Sequence, residues 1–101
     1  MKINDIAFKL ILYSGNARSK IMTALKHARD NHSERALQML TEADKELEKA
    51  HKVQTEVLQK EARGERIDTS ILFIHAQDHL MTAMLARELS EEIVSLRKIS
   101  S

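Results

Sequence analysis

The stretch Ile71–Leu85, ILFIHAQDHLMTAML, is the most apolar part of the chain, yet it carries two histidines and an aspartate within five positions. On a helix, residues three and four apart share a face. His75, Asp78 and His79 therefore form one polar cluster, which Thr82, seven residues after His75, extends. ILFI at the start of this segment and AMLA at Ala83–Ala86 are apolar all round. A helix apolar on every side is covered on every side, whereas a small bundle covers only one or two faces of each member. The remaining face predicts an oligomer with this helix at its interface.

Working outward, two further helices complete the chain. The first is expected over about residues 4–30, where Ile3, Ala7, Leu10, Ser14, Ala17, Ile21, Ala24 and Ala28 follow alternating spacings of four and three. The polar run DNHS breaks it, with Ser33 as the expected N-cap of the next helix. That helix runs over about 34–63 along the seam Ala36, Leu40, Ala43, Leu47, Ala50, Gln54 and Val57, and Gly64 is placed to end it in a left-handed cap. The hinge GERIDTS leads to the third helix, about 69–98, with Asp68 or Thr69 as its expected cap. Short connections make neighbours antiparallel. The expected fold is all-α: one up-down-up three-helix bundle forming a single domain over 1–101, with a coiled-coil-like interface between subunits.

Composition agrees with long helices: no proline, two glycines, 43% hydrophobic and 31% charged residues among 101. A net charge of +1 supplies no strong field for nucleic acid or an anionic membrane. The absence of cysteine excludes a disulfide framework and a thiolate zinc site, and fits a reducing cytoplasm. Lys9 interrupts the greasy N-terminal run Ile6–Tyr13, and no segment reaches the roughly 20 apolar residues of a membrane-spanning helix. The chain is expected to be soluble and cytoplasmic.

Ile71, Asp78, Leu85 and Ile99 share one heptad position, so a carboxylate sits in a mainly aliphatic seam. Several copies meeting on a symmetry axis repel one another unless a proton or cation joins them. Asp78 is thus a candidate metal position made by oligomerisation. The same cluster supports two chemistries. As H-x-x-D-H it offers a metal two imidazoles one turn apart and a carboxylate, although the H-E-x-x-H pattern of a metalloprotease is missing. As a phosphohistidine site it offers a neutral imidazole, a good phosphoryl acceptor, in apolar surroundings that exclude water. With no phosphate-binding glycine loop in the chain, the phosphate must come from another protein. Glu48-x-x-His51 resembles half of a di-iron motif, but the inward seam passes through Ala50, which leaves both side chains outside. His27 and His32 read as solvated residues of the first turn, and the methionines as core or interface filler. Gly15, mid-helix in YSGNARS, costs about 1 kcal/mol relative to alanine; it marks packing, close helix approach, or the approach of a partner backbone.

HAQDHLMTAMLARELSEEI closely resembles the phosphorylated helix of the lactose/cellobiose-type enzyme IIA proteins of the bacterial phosphoenolpyruvate-dependent sugar phosphotransferase system. SGNARSKIMTAL and AHKVQTEVLQKEA extend the resemblance over nearly the whole chain. It implies a homotrimer of three-helix subunits. It also implies that a histidine accepts phosphate from the carrier HPr and passes it to a cysteine of the IIB component, which phosphorylates the sugar entering through the membrane IIC component. On this chain the phosphorylated residue is then His75. Asp78 meets its symmetry mates around a shared metal ion, usually magnesium (Mg2+), and His79 supports the site or fills the interface. The competing expectation is a helical oligomeric module that binds metal through His75, Asp78 and His79 without phosphoryl transfer.

Overall fold

The computed structural model describes residues 2–100; residues 1 and 101, the ends of the expected domain, lie outside the described residues. Three helices make up the architecture: α1 (Ile3–Arg29), α2 (Ser33–Ala62) and α3 (Ile71–Ser100). No strand occurs among the described residues. The bundle is long and narrow, 53 × 20 × 17 Å.

The ends of the helices show how local chemistry sets their lengths. α1 closes on Asn31 in the left-handed region (φ 62°), with Asn31 N–H donating to Ala28 O (3.1 Å) and His32 N–H to His27 O (2.8 Å). α2 closes in the same way on Gly64 (φ 83°), through Gly64 N–H to Glu61 O (3.0 Å) and Glu65 N–H to Lys60 O (3.1 Å). These paired bonds satisfy carbonyls that a helix end leaves orphaned. Glycine tolerates that conformation without a Cβ clash, and asparagine is the usual second choice.

Two cap assignments from the sequence are corrected. Ser33 is the first residue inside α2; His32 flanks it, without a side-chain cap, because the closure of α1 already recruits the His32 amide and the chain turns helical one residue sooner. The cap of α3 is Ser70 rather than Asp68 or Thr69. Its Oγ accepts the Phe73 N–H (3.1 Å) and donates to Asn4 Oδ1 (2.9 Å). One hydroxyl thus satisfies an orphan donor of α3 and fastens the start of α3 to the start of α1.

The seams read from the sequence form the core. Leu10, Ile21, Leu40 and Leu80 are the large side chains fully enclosed, surrounded by alanines that let the helices approach. The core has two clusters. One joins Ile21, Leu40 and Val94; the other joins Leu10, Val57, Phe73 and Leu80. Between them in α1 lies Ser14, buried, with no hydrogen-bond partner for its Oγ. Leu47 and Gln54, expected in the α2 seam, are half-buried.

Polar cross-links fix the register. Asn16 Nδ2 donates to Glu46 Oε1 (2.9 Å) and Lys20 pairs with Glu42 (3.2 Å), so α2 runs past α1 in the opposite sense. Arg87 grips Asp44 with two bonds (2.7 and 3.0 Å), and Gln54 donates to Gln77 (2.6 Å), so α3 also opposes α2. Outside these contacts α3 keeps a long apolar face open: Ile71 is 86% exposed, Leu85 56% and Ile99 81%, with Ile74, Met81 and Leu96 beside them.

Candidate functional site

His75 and His79 lie one turn apart on α3, a spacing that brings side chains of one helix face together. Their Nε2 atoms are 2.9 Å apart. The rings meet edge to face, with centroids separated by 4.4 Å and planes at 88°. A hydrogen bond between two imidazole nitrogens needs one to carry a proton and the other to offer a lone pair. The pair therefore contains at least one neutral ring while this contact stands. His75 is exposed and His79 half-buried.

Asp78 is exposed, two turns from each neighbour in the row formed with Ile71 and Leu85. Among the described residues, no three histidine or acidic side chains are arranged to hold a metal ion. The structure thus brings His75 and His79 together without closing a three-ligand set with Asp78. Thr82 also departs from the sequence reading. Its Oγ1 donates back to the carbonyls of Asp78 (3.0 Å) and His79 (3.1 Å), the usual preference of a helical threonine, and so does not extend the imidazole pair.

The remaining sequence candidates lie apart from this site. Glu48 and His51 are exposed on the rim of a groove of about 810 Å³ between α2 and α3, floored by Leu47 and Met84. His27 and His32 sit at the first turn with ring centroids 6.1 Å apart. Gly15 is exposed, and a Cβ added to it meets nothing within 4 Å. Packing inside this chain therefore does not require the glycine.

Sequence reasoning missed two anchors of α3. One is the Ser70 cap described above. The other is Arg87, seven residues beyond Leu80 at a position that the seam turns inward, and held by Asp44. Asp44, together with Glu91 (3.7 Å), holds its guanidinium above the ordinary arginine range, so the charge is permanent. The available signal was an arginine standing where the heptad calls for an apolar residue.

No helix among the described residues is long and apolar enough to cross a membrane. The family model for the lactose/cellobiose-specific IIA subunit of the PTS system matches residues 5–98. The lichenan-specific phosphotransferase enzyme IIA component of Bacillus subtilis is 43% identical over 95 residues, 94% of this chain and 86% of that protein. The lactose-specific EIIA component of Staphylococcus epidermidis is 43% identical over 100 residues, 99% of this chain and 96% of that protein. Among solved structures, the PTS cellobiose-specific enzyme IIA from Bacillus anthracis superposes with a TM-score of 0.93 at 45% identity, covering 97% of this chain and 90% of that one. The IIA(Chitobiose) chain of a complex with HPr gives 0.85 at 35% identity, covering 100% of this chain and 99% of that one. With its three helices, its HAQDH segment and nearly full-length matches of this strength, the chain belongs to the lactose/cellobiose-specific IIA family of the phosphotransferase system.

Proposed function

We propose that this chain is a phosphocarrier of the sugar phosphotransferase system, accepting a phosphoryl group on His75 from HPr and passing it to a cysteine of the IIB component. The observation that carries this reading is the exposed imidazole of His75, set on a rigid helix and bonded at Nε2 to His79. A lone pair of the neutral His75 ring attacks phosphorus. The N–P bond of the donor phosphohistidine breaks, and its electron pair returns to that donor nitrogen. The onward step reverses the roles: a cysteine thiolate of IIB attacks, and the electron pair of the N–P bond returns to His75. Positioning dominates such transfers, and the partner must exclude water, since hydrolysis competes. The partners are HPr as donor, IIB as acceptor and the membrane component IIC in the same system. The chain acts in the cytoplasm, as a component of a transferase rather than a complete enzyme.

Assembly as a homotrimer is part of this reading: Ile71, Leu85 and Ile99 form an exposed apolar row on α3 that further copies would cover. A hard divalent cation needs about six or more oxygens. Magnesium keeps several waters among its ligands, so Asp78, exposed in the open row of α3, fits Mg2+ as one of three carboxylates meeting in a shared site. There Asp78 would hold the ion, which would neutralise like charges gathered on the axis.

Incubation with phosphoenolpyruvate, enzyme I and HPr, followed by intact mass measurement, tests the reading. The parent is expected to gain one acid-labile phosphate per chain. His75→Ala should gain none, with helical content unchanged, because an exposed imidazole contributes chemistry rather than packing. Full phosphorylation of the alanine variant sinks the assignment.

A further inference from the structure

Gly15 stands in the interior of a 27-residue helix, where glycine is among the worst helix formers. Nothing inside the chain explains it. Its φ is not left-handed, since Gly64 alone of the glycines has positive φ among the described residues, and an added Cβ meets no atom within 4 Å. Its place in the bundle follows from the cross-links. Tyr13 beneath Lys49, Asn16 and Lys20 mark the side of α1 turned to α2; Gln77 and Arg87 mark the side of α3 turned to α2. In a three-helix bundle, the opposite flanks of α1 and α3 then adjoin each other. That outer flank carries Phe8, Gly15 and Met22 at one heptad position of α1, and the His75–His79 pair on α3. The Asn4–Ser70 bond sets residue 15 level with residue 81. Gly15 is therefore about 3 Å along the bundle from His79 and about 9 Å from His75 at the rise of an α-helix. Exposed Phe8, Leu12 and Met22 surround it (61%, 58% and 51%), so the glycine is a notch in an apolar patch beside the candidate phosphoryl acceptor.

We propose that Gly15 is a clearance position for the phosphohistidine carrier: its missing Cβ lets the backbone of HPr settle against α1 while the two histidines share one phosphorus. This rests on the phosphocarrier reading above. In-line transfer brings donor and acceptor nitrogens within bonding reach of one phosphorus, which draws the donor's backbone onto the flank that holds His75. Phe8, Leu12 and Met22, with exposed Arg18 at their edge, offer that partner the apolar centre and polar rim of a docking patch.

The test is Gly15→Ala, with Gly15→Leu as a stronger variant, in the full chain. Measured are phosphorylation kinetics with phosphorylated HPr, sedimentation equilibrium and the thermal midpoint. Alanine improves helix propensity and meets open space, so the thermal midpoint should hold or rise. The KM for phosphorylated HPr should rise about tenfold or more, the cost of overpacking a closed contact, and further for leucine, with kcat for the alanine variant within about twofold. An unchanged KM in both variants overturns the proposal. So does a changed oligomer size, which would assign the notch to a second copy of the chain. If the parent itself accepts no phosphate, the phosphocarrier reading fails first, and the failure is visible before either variant is compared.

Discussion

At the scale of single residues, the bundle places its polar groups by what each can bond to. Ser90 is buried and satisfied, its Oγ donating to Arg87 O (2.7 Å); Ser14 is buried and lacks a partner. An unpaired hydroxyl in an apolar site carries a desolvation cost of about 1–3 kcal/mol, and serine is also a poorer helix former than alanine. Ser14→Ala is therefore expected to leave stability unchanged or raise it by up to about 1 kcal/mol, measured by urea unfolding. A loss larger than about 1 kcal/mol would mean that the hydroxyl has a partner in solution. The same reasoning separates Thr82 from the histidines: its hydroxyl finds two carbonyls of its own helix, so it has no need of an imidazole.

At the scale of the helices, the interfaces differ in what holds them. α1 and α2 are joined by the Asn16–Glu46 and Lys20–Glu42 contacts, with Glu46 also paired to Lys49 at 2.9 Å. Lys49 is the largest influence holding the Glu46 carboxyl below its usual range, and the Asn16 bond adds to it against a partial burial penalty. The sign follows by linkage. A carboxyl depressed in the folded state contributes stability above its ordinary pKa and loses it as pH falls through the lower folded value. Glu46→Gln should therefore reduce stability at neutral pH and flatten the loss seen on acidification. The Glu46 side chain is 13% exposed but its partner Lys49 is 57% exposed, so the effect is small and weakens with salt. Urea midpoints of both proteins at neutral and acidic pH, at low ionic strength, check this; a steeper acid loss in the variant would contradict it.

At the scale of the whole molecule, the open α3 face is the surface on which the proposed assembly turns. If three copies converge at Asp78 between the layers of Ile71 and Leu85, chelating the ion should leave like charges together and loosen the trimer, most at high pH where all three ionise. A buried ionic cluster is often no more stabilising than apolar residues of similar volume. Asp78→Leu continues the aliphatic layers, so it is expected to give a trimer at least as stable as the parent and indifferent to EDTA. Sedimentation equilibrium with and without EDTA decides it. Dissociation of the leucine variant into monomers would show that the carboxylate makes a specific bond.

Periodicity by itself determined the inward seams of α1 and most of that of α2, because a side chain's direction on a straight helix depends only on its number. It likewise determined the left-handed end at Gly64, a property of one residue, and the excess of apolar surface on α3, a property of composition along one segment. The HAQDH segment was equally legible, since its residues lie within five positions of each other. Contacts that depend on how one helix settles on another were not legible. Ser70 rather than Asp68 or Thr69 caps α3 because α1 brings Asn4 to it. Arg87 lies inward because Asp44 of α2 stands opposite. Whether Gly15 served packing within the chain was open until the bundle showed that an added Cβ there meets nothing within 4 Å. The meeting of His75 and His79, and the turning away of Thr82, depend on side-chain rotamers, which helical spacing permits but does not select. Local spacing chooses the face of a helix; only the packed register and the rotamers it selects decide which side chains on that face touch.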